Sequence, residues 1–316
     1  MVPSLFALCI FSSRSAAQTE VLSHVNVVDV VTGKIQRDRN VVMEAGVITG
    51  IRLQTDRLAA GARINDFTGG YVIPGLWDMH AHVGRLDRAS LATFVASGVV
   101  GMRDVGEDDG TATALRDSIE AGSIIGPHLV LAGRTKSYSR PGSVVREAAL
   151  TSNTSPLSGA APNQNQSEGK FERFMRFVRE GVAFTPTPVS LRADKSWRED
   201  LRLMAETGVM LLAGSDAGGF MVPAGFSVAD QLISMVYDAG LTPLQSIQSA
   251  TINAARWLGG SKQFGSVSEG HAADLVVLDR NPLDNISNLK EIRAVVRAGR
   301  VYDRIALDSL VLAQSH

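Results

Sequence analysis

The chain has 316 residues, 45% of them hydrophobic and 20% charged, with a formal net charge of −1. That is enough apolar material for one large domain, or for a barrel with a smaller companion. The balanced charge argues against a nucleic-acid partner and against an anionic membrane surface, and leaves a small uncharged substrate as the better match.

Residues 1–18 read MVPSLFALCIFSSRSAAQ. Leu5 to Phe11 is a short apolar core, and Ser15-Ala16-Ala17 supplies small residues for a signal peptidase, although no basic region precedes the core. This reads as a signal peptide and implies a periplasmic or secreted protein; without cleavage the chain would be cytoplasmic. The single cysteine, Cys9, lies in this segment, so the processed chain would have neither disulfides nor thiolate chemistry. No segment approaches the ~20 apolar residues that a membrane-spanning helix needs.

Val21 to Arg52 contains short β-rich runs separated by turns at Thr32-Gly33 and Ala45-Gly46. A second β-rich stretch closes the chain, in Asp274–Asp279 and Ile292–Tyr302. Neither piece makes a stable sheet alone. The expectation is therefore a small composite β-sandwich built from 19–66 and 266–310, with 67–265 forming a second domain.

Between the ends the pattern changes to helix, glycine, strand. Leu91, Phe94 and Val95 mark a helical stripe that stops at Gly98. Phe171, Phe174, Met175 and Val178 mark another that stops at Gly181, and Leu201, Met204 and Ala205 a third that stops at Gly208. Each is followed by an apolar run suited to a buried parallel strand. Thr242-Pro243-Leu244-Gln245 carries the signature of a capped helix N-terminus, with the helix running to about Trp257. The polar segment 151–170 has no apolar periodicity and interrupts the repeats as an irregular insert.

The chemistry-bearing residues stand at strand ends. In Gly75-Leu76-Trp77-Asp78-Met79-His80-Ala81-His82, the i, i+2 spacing sends His80 and His82 to one side of a strand, where two imidazoles can bind one metal ion. Leu211 to Ala213 is a second apolar strand, and its end carries Asp216. In a parallel barrel that end is where active sites are assembled. Taken singly, the pair also suits a solvated strand end, and Asp216 a turn.

Together with SATINAARWLG and GSVSEGHAADLVVLDRNPLDNI further along, these motifs resemble the amidohydrolase superfamily, most of all its imidazolonepropionase-like and prolidase-like branch. The resemblance runs from about Val21 to Gly133 and from Phe171 to Leu310. It implies an α/β fold with a TIM-like (β/α) barrel beside the composite sandwich. It also implies hydrolysis of amide, lactam, ester or related bonds through a divalent metal, with zinc the expected ion. His80, His82 and Asp216 would be metal ligands, and Asp216 would also take a proton from the attacking water.

The resemblance has a gap. It also implies a lysine on the fourth strand and a histidine on each of the fifth and sixth, yet no histidine lies between His128 and His271. His80 and Asp216 are 136 positions apart, whereas a complete barrel at roughly 30 residues per βαβ unit needs about 200. Strands are expected near Tyr71, Val99, His128, Val182 and Val209, matching the first three and last two of a barrel, so the barrel is expected to be incomplete. His128 stands at the wrong end of its strand to bind a metal there. Lys136 is better placed, and Asp104 reads as a structural carboxylate. Lys170 and Lys195 read as solvated, while His24 and His271 belong to the sandwich.

Two readings stay open on these residues. One is a metal-dependent amidohydrolase, impaired, acting on a small amide or peptide-like substrate. The other is a non-catalytic remnant or binding scaffold. An open barrel edge would favour association with another copy in a homo-oligomer.

Overall fold

A computed structural model describes residues 18–106, 110–131, 147–150, 169–187, 195–219 and 228–313, with backbone alone at 147–150, 195–197 and 313. The expected signal peptide up to residue 17, the stretch 151–168 of the irregular insert, and Lys136 lie outside the described residues.

Five strands open the fold: β1 (Glu20–Val28), β2 (Ile35–Glu44), β3 (Val47–Leu53), β4 (Arg63–Asp66) and β5 (Tyr71–Pro74). Six more carry the middle of the chain: β6 (Leu76–Ala81), β7 (Val99–Asp104), β8 (His128–Leu131), β9 (Glu147–Leu150), β10 (Ala183–Pro186) and β11 (Met210–Leu211). Three close it: β12 (Leu275–Leu278), β13 (Ile292–Arg297) and β14 (Arg300–Asp303).

Strands from both chain ends share one eight-stranded sheet, in the order β14-β13-β12-β5-β1-β2-β3, with β4 beside β1. The seam between the halves is antiparallel, with Val276 opposite Ile73 and Val277 opposite Val72. Period-two alternation explains why this sheet is buried on both faces. Val72, Leu275, Val277, Ala294 and Val296 point into a core of the sheet's own, with Leu22, Val41 and Ile48. Ile73, Val276, Leu278 and Val295 point the other way, into the core shared with the rest of the chain. The sheet curls until β3 meets the segment before β12: Ile48 N–H donates to His271 O (2.8 Å) and Ala273 N–H to Gly46 O (2.8 Å).

Tyr71–Pro74, expected to lead the first barrel strand, belongs instead to this large sheet. The chain changes sheets at Gly75, whose N–H donates to Asp274 O while Leu76 N–H donates to Gly98 O. The residues on either side are equally apolar, so hydropathy alone does not reveal the switch.

The barrel strands form two parallel three-stranded sheets, β6-β7-β8 and β11-β10-β9. They meet where Met79 N–H donates to Ala213 O (2.7 Å) and His82 N–H to Ala217 O (2.7 Å). The first strand of the barrel therefore lies beside its last. β9 is a sixth strand that the residue pattern does not announce, since Glu147-Ala148-Ala149-Leu150 contains no β-branched or aromatic residue.

The helices are α1 (Arg88–Ala96), α2 (Thr111–Glu120), α3 (Lys170–Glu180), α4 (Lys195–Thr207), α5 (Val228–Tyr237), α6 (Pro243–Ser249), α7 (Ile252–Trp257) and α8 (Arg304–Ala313). Gly98, Gly181 and Gly208 all adopt positive φ just past α1, α3 and α4, as their positions after apolar stripes predict. On α3 the buried face is centred on Phe174 and Phe177, and Phe177 packs against Phe184 of β10 at 5.2 Å. Phe171 and Val178, expected on the same stripe, are 58% and 38% exposed.

The helix predicted from Thr242 to Trp257 is two helices. Thr251, at φ −131° and ψ −97°, breaks it, and Asn253 Nδ2 donates to Leu211 O (3.1 Å), anchoring α7 to β11. The expected cap is present: Gln245 N–H donates to Thr242 Oγ1 and Thr242 N–H to Gln245 Oε1. Thr242→Ala should cost about 0.5–2 kcal/mol, read as a lower urea midpoint with an unchanged slope. Among the described residues, no helix is long and apolar enough to cross a membrane.

Candidate metal centre

On β6 the side chains alternate. Trp77 and Met79 point outward into packing, with Trp77 stacked on Phe264 at 4.6 Å. Asp78 and His80 occupy the opposite face and are both buried, and His82 continues the series one residue beyond the strand. Three polar side chains at i, i+2 and i+4 thus climb the inner wall of the barrel towards its C-terminal mouth.

Asp216 comes to meet them from the segment after β11. It adopts φ 58°, the left-handed region that a non-glycine residue enters at a cost. His82 Nε2 lies 3.1 Å from Asp216 Oδ1, within hydrogen-bond range, and His80 Nε2 stands 3.5 Å from the same oxygen, beyond a good hydrogen bond. Burial opposes ionisation of Asp216. The interactions with His80 and His82 outweigh it and hold the carboxyl well below the usual carboxylate range.

The three expected ligands are therefore brought together. His80, His82 and Asp216 each offer a ligand atom, all within 4.8 Å of one another. Both ring nitrogens of His80 are buried with no hydrogen-bond partner among the described residues. A buried imidazole in that state loses solvation on both nitrogens, and a cation beside one of them would restore a partner. Two imidazoles and a carboxylate are a donor set that suits a divalent cation such as zinc.

The strands approach closely here because Gly214 lacks a side chain. A Cβ at that position would stand 2.5 Å from His80 Cβ and 2.6 Å from Thr185 Cγ2. Gln231 of α5, not anticipated from the residue pattern, accepts from Gly214 N–H (2.7 Å) and donates to Pro186 O, tying two strand ends together under the site. Asp78 accepts from His80 N–H (3.1 Å), Ser215 N–H (2.9 Å) and Ser215 Oγ (2.5 Å). Burial pushes its carboxyl up, against the pull of those bonds.

The other candidates fall elsewhere. Asp104 accepts from Val83 N–H (2.7 Å) and Gly106 N–H (3.3 Å), fixing the turn after His82 as a structural carboxylate. His128 begins β8 at the opposite end of the barrel, with Nε2 2.9 Å from Asp274 Oδ2 and 2.7 Å from Arg297 Nη1. Lys170 is exposed, as expected of a solvated lysine, and its ammonium also pairs with the buried Asp200 at 2.7 Å, its stem reaching across from α3 to α4. The side chain of Lys195 is outside the described residues. His24 pairs with Asp38 (2.9 Å) and His271 with Ser266 (3.1 Å), both in the large sheet or its approach.

Comparison with known proteins agrees with this architecture. The profile of the Amidohydrolase family matches residues 176–302. An ochratoxinase of Aspergillus niger is 31% identical over 108 residues, covering 32% of this chain and 22% of that protein. An imidazolonepropionase of Thermoplasma volcanium is 29% identical over 128 residues, covering 39% of this chain and 31% of that protein. The matched stretch thus spans under a third of the length of these curated relatives.

Among solved structures, a Xaa-Pro dipeptidase with bound methionine superposes with a TM-score of 0.72 at 21% identity, over 90% of this chain and 100% of that one. A putative prolidase from Bifidobacterium longum gives 0.68 at 22% identity, over 96% of this chain and 100% of that one. The fold is that of the barrel proteins in this group. The family match is confined to residues 176–302, and the likeness to these solved structures is one of fold.

Proposed function

We propose that this chain is a metal-dependent hydrolase of carbon–nitrogen bonds in small amide or peptide-like substrates, with turnover reduced by a short ligand set. The observation that carries the reading is the convergence of His80, His82 and Asp216, with His80 buried and neither of its ring nitrogens in a hydrogen bond among the described residues. These three residues would hold one divalent cation, with zinc the expected ion. When bound, the cation supplies a lowered water pKa and a polarised scissile carbonyl. Asp216, held ionised by its neighbours, takes a proton from the attacking water and passes it to the departing nitrogen. The rest of the barrel wall orients the substrate and excludes bulk water.

Three protein ligands and an open position are enough for a catalytic zinc. The reduction in turnover follows from what is lacking: no histidine stands between His128 and His271 to bind a second ion or steady the first. In the same proposal, 19–66 and 266–310 fold with Tyr71–Pro74 as one composite unit beside the barrel, which takes the rest of 67–265, and the leader directs export to the periplasm or medium.

The test is an assay of the purified chain with added zinc or manganese against N-acyl amino acids, Xaa-Pro dipeptides, lactams and aryl esters. Turnover below about 1 s⁻¹, abolished by Asp216→Asn, is the expected result. Ordinary enzymatic rates would overturn the impairment, and hydrolysis indifferent to Asp216→Asn would overturn the site. Metal binding without any hydrolysis would leave a binding scaffold.

A further inference from the structure

The strands that carry the candidate ligands are irregular where they meet. Met79 N–H donates to Ala213 O, but the next cross-strand bond comes from Asp216 N–H to His80 O (2.8 Å), and then from His82 N–H to Ala217 O. The second strand thus bulges between Ala213 and Asp216. On the other side, the β6–β7 register slips between Asp78 and Ala81. Bulges of this kind leave backbone donors out of the ladder, and a buried donor must find another acceptor.

Two side chains supply those acceptors. Asp78 Oδ1 takes His80 N–H and Ser215 N–H, the donors left by the slip and by the bulge. Asp78 Oδ2 takes the Ser215 hydroxyl, and Ser215 Oγ in turn accepts from Ala217 N–H (3.0 Å). Both side chains are fully buried. The bonds bracket Asp216 on each side in sequence, a non-glycine residue held at positive φ. A residue in that conformation persists only where its surroundings over-determine it.

We infer that Asp78 and Ser215 form a clasp that positions Asp216 against His80 and His82, so that the three ligand atoms converge before any ion arrives. The inference rests on the metal reading above. It makes Asp78 and Ser215 positioning residues: neither touches the ion or substrate, and both act through the backbone of Asp216 and His80. Without the hydroxyl, Ala217 N–H and one oxygen of Asp78 lose their partners. The bulge then relaxes towards a regular ladder, and the Asp216 carboxylate swings away from the imidazoles.

The test uses cobalt(II) as the probe ion on the full chain, reading its apparent dissociation constant and its visible d–d absorption. Ser215→Ala and Asp78→Asn are compared with wild type. Ser215→Thr keeps the hydroxyl. Ser246→Ala removes a buried hydroxyl that donates to Leu232 O, away from the site. Ser215→Ala and Asp78→Asn should bind cobalt about 10–100-fold more weakly with an altered d–d spectrum, and Ser215→Thr should recover both properties. Ser246→Ala should lower the melting temperature and leave affinity and spectrum alone.

Wild-type affinity and spectrum in Ser215→Ala and Asp78→Asn would overturn the clasp while leaving the metal reading intact. A spectrum disturbed equally by Ser246→Ala, or unfolding of both clasp variants, would assign the two residues to general stability and overturn it as well. Failure of the wild type to bind cobalt would instead overturn the metal reading, and the clasp's purpose with it.

Discussion

Replacing His80 and His82 together by alanine should empty the site of metal. The wild-type chain, purified and dialysed against zinc-containing buffer, should retain about one equivalent per chain, and the double variant under about a tenth of that. The reason is the donor count: Asp216 would remain alone, and a single partly exposed carboxylate does not hold a divalent ion against buffer. The substitution removes two imidazoles without disturbing the strand that carries them, because Trp77, Met79 and Ala81 keep the outward packing of β6. Elemental analysis of both proteins, together with circular dichroism to show that the variant is folded, makes the comparison. Equal metal content in the two would place any bound ion elsewhere.

The largest effect on stability is expected at the opposite end of the barrel. Asp274 precedes β12 and is buried; it accepts from Ala298 N–H (2.6 Å) and lies 2.9 Å from His128 Nε2 and 3.4 Å from Arg297 Nη1. His128 starts β8 in the barrel, and Arg297 ends β13 in the large sheet, so one carboxylate joins the two sheets. Arg297 also donates to Gly126 O (3.1 Å) and is itself nearly buried. Asp274→Ala would strand that guanidinium without its counter-charge, at a cost of about 3–5 kcal/mol, measured from the urea midpoint at neutral pH.

The pH dependence provides a second reading of the same residue. Burial opposes ionisation of Asp274, but Arg297, His128 and the Ala298 amide outweigh it and depress the carboxyl below its usual range. For a depressed acid, the stabilisation is fully present above the unfolded pKa of about 3.9. It is lost as pH falls from there towards the native value. The wild type and Asp274→Ala should therefore differ at neutral pH and approach one another in acid. A difference that stays constant down to about pH 2 would show that the ion pair is not its source.

Much of the site was legible before any tertiary contact was considered, because the relevant rules are local. The i, i+2 spacing of His80 and His82 already sends both rings to one side, since side-chain alternation is a property of any strand. The apolar stripes ending at Gly98, Gly181 and Gly208, and the Thr242–Gln245 box, mark helix ends by the same short-range logic. Asp216 was recognisable as a strand-end acid from the residues beside it.

What the chain alone could not decide concerns partners far apart in sequence. The apolar run from Tyr71 continues past Gly75 into Leu76 and Trp77, and only hydrogen bonds to β12 and to Gly98 separate its two parts into different sheets. β9 owes its strand conformation to the ladder it shares with β10 rather than to β-forming residues. Lys170 finds a buried partner in Asp200 only because α3 and α4 pack together. Asp78 and Ser215 are 137 positions apart, and no local pattern distinguishes them from the strand-end polar residues of any barrel. Their pairing arises where a bulge and a register slip leave backbone donors unsatisfied, and that is a property of two strands meeting. Periodicity is written residue by residue; the bulge that aims Asp216 at the histidines exists only once the strands are side by side.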